Sequence, residues 1–339
     1  MKKKNISILL LMMFSLCGCG TRGNVSSSSP ISDSKESTGP SESSSTSSSE
    51  EIDDSGNQIA NDKRYGKIPM IDEVDKTITY GLYPQTHVKD NNTIKALNQL
   101  TKVEDNGFCL YDYNYYYKFK ATPFTSDLTF DDGKDIISGT YYWFRCERIT
   151  WNILSSSDGE YFLVSDKVLD AHIYNDMYEG TDENGYYANN YKNSSIRNWL
   201  NSTFYKTAFS LDDSYIITTT VDNSATTTDS SNNTFCCENT NDEVFLLSYQ
   251  DYKNENYGFK SNKSRIAKVT DFAKASGAYC STSDSNLDAS YHITRSPSSS
   301  NSNCLSAIRY TGTISTDRYV SNDGFGIRPA ITFKDYSKN

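Results

Sequence analysis

Hydrophobic positions form one unbroken run near the start of the chain and, after a long polar gap, many short groups that alternate or cluster. Ile6 to Leu16 is apolar except for Ser7 and Ser15. That run has the length of the apolar part of a secretory leader and is too short to span a bilayer as a helix. From about Ile59 onward the pattern is one of short strands. Lys76 to Tyr83 alternates, is β-branched and aromatic, and stops at Pro84, which predicts a strand. Thr93 to Leu100 suits a short helix, and the tyrosine-rich Phe108 to Phe119 an extended segment. Tyr141 to Ser155 and Glu160 to Ser165 flank Ser157-Asp158-Gly159, a hairpin signal.

Ile196, Trp199, Leu200 and Phe204 recur at helical spacing behind Ser194 or Ser195 as cap. A second short helix is expected from Ser210, with Asp213 completing a capping pair. Val244 to Ser248 reads as a buried strand, and Thr270 to Ser276 as a brief helix stopped by Gly277. Near the C-terminal end the pattern predicts a hairpin around Tyr310 to Ile314, turning at Gly312. A last strand, Gly326 to Phe333, follows, and Pro329 should place it at an edge or a bulge. Many short strands, three or four short helices and no alternating βαβ units predict an α+β domain over 59–339. Its sheet would be mixed or antiparallel and its loops long, the polar stretch Val221 to Asn241 above all.

Ahead of that domain the composition changes. Lys2, Lys3 and Lys4 precede the apolar run and Leu16-Cys17-Gly18-Cys19 follows it. These residues resemble the lipobox of bacterial lipoproteins, with an aliphatic side chain three places before the cysteine and small residues between. The resemblance implies a signal peptide over 1–18 and a diacylglyceryl group on Cys19. Cys17 fits less well, because it would put bulky Leu16 directly before the modified residue. Ser26 to Glu51 contains 14 serines in 26 residues, too little apolar surface to offset ordering entropy. Residues 19–58 are therefore expected to be a lipidated N-terminus and a disordered tether, with an average reach on the order of 30–35 Å. The expected location is the extracellular face of the cell membrane, held there by the lipid.

Acidic residues outnumber basic ones, 43 to 33, for a net charge of −10. Such a surface repels phosphate backbones, and no basic block reverses this locally, so nucleic acid is not an expected partner.

Candidate chemistry is sparse. Beyond the anchor stand Cys109, Cys146, Cys236, Cys237, Cys280 and Cys304, with no C-x-x-C pair. Outside the cell they read as disulfide staples or as buried thiols, and the pairing is open. His87, His172 and His292 are isolated in sequence and read as surface or loop residues. No H-E-x-x-H, no G-x-S-x-G elbow and no phosphate loop occurs, so no metal, cofactor or nucleophile is called for. Asp182-Glu183-Asn184-Gly185 is an acidic turn that lacks the spacing of a full calcium loop. Tyrosines cluster at Tyr111, Tyr113, Tyr115, Tyr116 and Tyr117, and at Tyr186, Tyr187 and Tyr191. They suit a stacking surface and strand formation equally well.

Six phrases fall in a specific order: Ile78 to Gln85, Ile149 to Asp170, Ser195 to Phe209, Val244 to Tyr249, Tyr291 to Pro297 and Gly326 to Ile331. Together they resemble a large family of uncharacterised extracellular domains of Gram-positive bacteria, a domain of unknown function, over Thr77 to Phe333. At Tyr291-His292 the sequence departs from that family, which often has paired tryptophans there. The closing portion is also remotely similar to C-type-lectin-like folds, among them the sulfatase-modifying factors. It lacks the paired cysteines of those enzymes and the Glu-Pro-Asn or Gln-Pro-Asp triplet of sugar-binding lectins. What this similarity implies is a scaffold whose loops present a binding surface.

The leading expectation is a membrane-anchored lipoprotein that presents a non-catalytic domain to a glycan, a cell-wall polymer or a protein. Tyr291, Arg295, Asn303 and Arg309 are the candidate ligand-binding residues. Arg295 and Arg328 read equally as internal, Arg328 more so, and Trp151, Trp199 and the six cysteines are candidates for structural roles. The alternative is an extracytoplasmic enzyme with carboxylates brought together from distant positions. A transporter's solute-binding protein would need two βαβ lobes, which the sparse helices argue against.

Overall fold

The computed structural model describes residues 61–224 and 231–338. The leader, Cys19, the serine-rich stretch and part of the 221–241 loop lie outside the described residues. Two hairpins open the fold. β1 (Met70–Asp72) pairs with β2 (Thr77–His87), and β3 (Phe108–Tyr111) with β4 (Asn114–Lys120). Asp112 and Tyr113 turn the second hairpin at φ 45° and 56°, the left-handed geometry that two-residue hairpin loops need. β5 (Tyr141–Ser157) is the axis of the sheet. One of its edges carries β2 along its length; the other carries β4 on its first half and β6 (Glu160–Ser165) on its second. The Asp158-Gly159 turn closes β5 onto β6, as expected.

Pro84 does not end β2. The pairing with β5 shifts register between Pro84 and Thr86, and the strand continues to His87. A bulge is where a strand tolerates a residue without an N–H. The first helix, α1 (Asn91–Leu97), is capped by Asp90, which accepts from the Thr93 amide at 2.7 Å.

After β7 (Asp170–Ala171) comes a helical rod in three parts. α2 (Ser195–Trp199), capped by Ser194, runs into a π turn over Leu200–Phe204 and then into α3 (Tyr205–Ala208). No helix starts at Ser210. The Ser210 hydroxyl instead accepts from the Asn106 side-chain amide at 2.7 Å and donates back to the Thr207 carbonyl, and the Asp213 carboxylate accepts from the Tyr205 hydroxyl. The chain then forms β8 (Ile216–Ile217), β9 (Thr219–Val221), β10 (Thr240–Asp242) and β11 (Val244–Leu246). Two short helices follow, α4 (Asn262–Arg265) and α5 (Asp271–Ser276); the Thr270 hydroxyl caps α5 and Gly277 ends it at φ +117°. The last strands are β12 (His292–Pro297), β13 (Cys304–Ile308), β14 (Ile314–Tyr319), β15 (Gly326–Ile327) and β16 (Pro329–Lys334).

β16 and β11 extend the first sheet beyond β6, and with β8 it reaches nine strands. The order β14-β13-β12-β15-β7 makes a second sheet, in which only β12 and β15 are parallel. The expected last strand is broken at Arg328, with β15 in the smaller sheet and β16 in the larger. Pro329 is therefore not at an edge. It opens β16 opposite Leu246, before pairing with β6 begins at Ala330, and there its missing N–H breaks no bond to β6. The architecture is the expected α+β class, with open mixed sheets and few short helices. No pair of βαβ lobes is present among the described residues.

One continuous core includes Ile78, Tyr80, Trp151, Leu163, Val244, Ile331 and Phe333. A smaller cluster of Val88, Leu97, Cys109, Tyr116 and Trp143 lies under α1. Two histidines depart from the expectation of surface positions. His87 is buried against Phe130, with ring centroids 4.1 Å apart and Nδ1 2.9 Å from Asp132. His292 is wholly buried, and burial, helped by the nearby Arg328 charge, holds its pKa well below the usual value. Both lie on strands, β2 and β12, that the core covers at those positions. Among the described residues no helix is long and apolar enough to cross a membrane.

Candidate functional site

Three tyrosines that are far apart in sequence meet at one end of the strands of the smaller sheet. Tyr279 follows the Gly277 stop of α5 and is held by its amide, which donates to the Gly324 carbonyl at 2.9 Å. Tyr291 immediately precedes β12. Tyr310 sits in the turn between β13 and β14. The ring centroids are 5.0 Å apart for Tyr279 and Tyr291, 5.5 Å for Tyr291 and Tyr310, and 5.7 Å for Tyr279 and Tyr310. Phe124 packs edge-on to Tyr279 at 5.7 Å. Beside these rings lies a cavity of about 290 Å³, completed by Arg318, Asn322, Asp323, Gly324 and Phe325.

The turn that carries Tyr310 requires glycine. Gly312 has φ +78°, and a Cβ there would sit 1.7 Å from the Asn262 carbonyl oxygen. Only a residue without a side chain lets the hairpin approach α4 so closely. Gly324 plays the same part on the opposite wall, where a Cβ would lie 2.4 Å from the Phe124 ring.

Two guanidinium groups flank Tyr291. That of Arg309 lies 5.9 Å and that of Arg318 5.5 Å from its ring centroid, the geometry of cation–π contact. Arg309 Nε also donates to the Tyr291 hydroxyl at 3.4 Å, and Arg318 Nε to the Ser315 hydroxyl at 3.0 Å. The cavity thus offers ring faces, the Arg318 cation, with Arg309 packed against Tyr291, and the exposed polar groups of Asn322 and Asp323. It can stack a planar or pyranose ring and hydrogen-bond its substituents.

Of the residues singled out from sequence, Tyr291 and Arg309 belong to this cluster. Asn303 does not: it precedes β13 at the end opposite Arg309, about 20 Å away along an extended chain. Arg295 is a correction, because it is not available to a ligand. Its guanidinium is 10% exposed and donates to the Leu246 carbonyl at 2.7 Å, to Asp251 at 2.9 Å and to the Asp222 carbonyl. Its place on a fully buried strand decides this, and the sequence around it carries no sign of that burial. Arg328 is likewise internal, with Nε donating to the Ser165 carbonyl at 2.8 Å. Trp151 is in the core, and Trp199 is half-buried at a second cavity. Tyr279, Tyr310 and Arg318 were not found from sequence, and no local pattern marks them.

The tyrosine clusters seen in sequence scatter instead. Tyr116 and Tyr191 are buried, whereas Tyr113 and Tyr187 are exposed. The acidic turn engages its own backbone, the Asp182 carboxylate accepting from the amides of Asn184 and Tyr186 at 2.9 Å. No cluster of metal-ligating side chains occurs among the described residues.

All six cysteines are free thiols. Cys109 and Cys146 lie on opposite faces of the sheet: Cys109 pairs with Tyr116, which pairs with Arg145, and the neighbouring Cys146 points the other way. Burial raises the pKa of all six, that of Cys236 to about 11 and that of Cys280 to about 12. At neutral pH they are protonated, which is not the state of a nucleophile or a metal ligand.

An α+β domain with a tyrosine-walled cleft between loops of its smaller sheet is the class of protein that fold and site define. Residues 158–335 match the family described as a domain of unknown function (DUF6273), and the chain belongs to that family. The match begins at the β5–β6 turn, well after Thr77, and takes in Tyr279, Tyr291, Tyr310, Arg309 and Arg318. No curated protein and no solved structure matches the chain.

Proposed function

We propose that this protein is a surface lipoprotein of a Gram-positive bacterium, anchored through Cys19, whose extracellular domain binds saccharide in the cleft around Tyr291. The observation that carries the reading is the convergence of Tyr279, Tyr291 and Arg318 on one open cavity, with Tyr310 and Arg309 packed against Tyr291. Tyrosine offers a broad apolar face with a polar tip at low entropic cost, which suits a ring that is apolar on its faces and hydroxylated at its rim. The arginines favour sugars bearing carboxylate or phosphate, the kind found in cell-wall polymers. An enzyme built on facing carboxylates is less well supported, since the cleft lining holds a single carboxylate, Asp323. The lectin-like resemblance fits a loop-borne site of this kind.

The mature protein should retain cell-wall saccharides on an array, and Tyr291→Ala should weaken the best of them by about tenfold or more, ~1.4 kcal/mol. Tyr291→Phe should lose much less, because the ring face remains. Failure of every saccharide to bind in the millimolar range, or unchanged binding by Tyr291→Ala, would remove the reading. Anchoring is tested separately: radiolabelled palmitate should enter the wild type and the Cys17→Ala variant but not Cys19→Ala. Label in Cys19→Ala would refute the assignment.

A further inference from the structure

A second cavity, of about 220 Å³, shares no lining residue with the tyrosine cleft. Its walls are the aromatic rings of Tyr83 on β2, Tyr117 and Phe119 on β4, Phe272 on α5 and Trp199 at the end of α2. Phe272 is the hub, and the rings of Tyr83, Tyr117 and Phe119 meet it at 83°, 82° and 66°, with centroids 5.1–5.8 Å away. Rings set at such angles form a box.

The one charged group in the lining is Asp170. Its carboxylate is buried and accepts from the Tyr83 hydroxyl at 2.5 Å, the Ala171 amide at 2.7 Å and the Ser276 hydroxyl. All three donors are neutral. Buried Asp242 and Asp271 and half-buried Asp251 are matched by a cation, Asp242 by Arg197 at 2.6 Å, Asp251 by Arg295 at 2.9 Å and Asp271 by Lys274 at 4.0 Å, whereas Asp335, also buried, accepts from the Ser337 amide and hydroxyl at the chain surface. Among the described residues no lysine or arginine forms an ion pair with Asp170; the basic group whose charge bears on it is His172, whose ring lies 5.1 Å from that of Trp199. A buried carboxylate without a counter-charge is costly to ionise, and burial accordingly raises the Asp170 pKa.

The helical rod reinforces the contrast. Trp199, Thr203 and Thr207 line the cavity at four-residue spacing, and the π turn lies between the first and the last of them. Such π insertions are rare and often occur at functional sites.

We propose that this cavity binds an organic ammonium group, quaternary or alkylated, held against the Trp199, Phe119 and Tyr117 rings with its charge toward Asp170. Aromatic faces and a carboxylate without a counter-ion are the chemistry that recognises such a cation, and the net charge of −10 draws cations to the protein. An anion or a phosphate would meet the Asp170 carboxylate here, and a neutral ligand would leave that carboxylate uncompensated.

The test is a titration of the mature protein, followed by tryptophan fluorescence and calorimetry, with tetramethylammonium, with choline and with the neutral choline isostere that carries tert-butyl in place of trimethylammonium. Choline and tetramethylammonium should saturate, and the neutral isostere should bind at least about tenfold more weakly. Asp170→Asn keeps the size and the carbonyl acceptor and should lose a similar factor. Should that variant not fold, Trp199→Leu, at a half-exposed position, should weaken choline to a comparable extent. Tyr291→Ala should leave choline binding unchanged, which separates this site from the saccharide cleft. Equal binding of choline and its neutral isostere, absence of saturable binding, or indifference to Trp199→Leu would overturn the proposal.

Discussion

Replacing Lys274 by methionine is expected to destabilise the domain by about 3–5 kcal/mol, the usual cost of removing one partner from a buried ion pair, here Lys274 with Asp271. The Lys274 side chain is 3% exposed, and its ammonium lies 2.7 Å from Asp131, 2.9 Å from Asp288 and 4.0 Å from Asp271. Burial works against the charge, yet the bonds to Asp131 and Asp288 outweigh it and raise the lysine's pKa. Asp271 is as buried as the lysine. Its carboxylate accepts from the amides of His87 and Asp131, while burial pushes its pKa up to about 6. Methionine would fill the volume and leave that carboxylate without a cation. Native domains have about 5–15 kcal/mol to lose, so the urea midpoint should fall steeply. Adding Asp271→Asn to the variant should recover part of the loss, because the stranded charge goes with it. A single variant within about 1 kcal/mol of wild type would show that the cluster contributes little. The network also bears on function, since it ties α5 to the 131 and 288 segments and so fixes the chain on either side of Tyr279.

Trp151→Ala should cost a similar amount, about 3–5 kcal/mol, for a different reason. The indole is fully buried on β5 between β2 and β6, and stacks on Phe209 at 6.2 Å and 21°. Phe209 stacks in turn on Tyr80, and Tyr80 meets Phe333 edge-on. The alanine variant leaves a cavity where four elements meet. It also orphans the Tyr80 carbonyl, which accepts from the indole N–H at 2.9 Å. Trp151→Phe separates the two losses, keeping most of the volume but not the donor, and should cost distinctly less. If both variants unfold at the wild-type denaturant concentration, the indole is not the centre of this core.

The two cavities differ in charge. The tyrosine cleft is lined by the Arg318 cation and the Asp323 carboxylate and suits a polar, ring-shaped ligand. The second cavity carries one carboxylate and suits a cation. Only the first lies, Phe124 aside, within the matched family region; the second takes Tyr83, Tyr117 and Phe119 from β2 and β4, outside it.

Some of this structure was written locally in the chain. The β5–β6 hairpin follows from Asp158-Gly159, because two consecutive left-handed residues reverse a strand wherever they occur. α5 follows from a threonine cap at Thr270 and a glycine stop at Gly277. The α+β class follows from the abundance of short alternating runs. Where a local signal had a competitor it misled. Ser210 and Asp213 spend their side chains on Thr207 and Tyr205, Pro84 is absorbed by a bulge, and Asp112-Tyr113 turns a hairpin without glycine. Packing alone decided the rest. Tyr279, Tyr291 and Tyr310 meet only because the smaller sheet places the start of β12 and the β13–β14 turn beside the end of α5. Arg295 is internal because β12 is covered on both faces, and Asp170 faces rings because distant strands and helices, not its own neighbours in sequence, supply the groups around it. Turn and cap preferences act over a few residues and can be read from the chain. A site is set by which distant surfaces the core brings together, and that depends on the free energy of packing the whole domain.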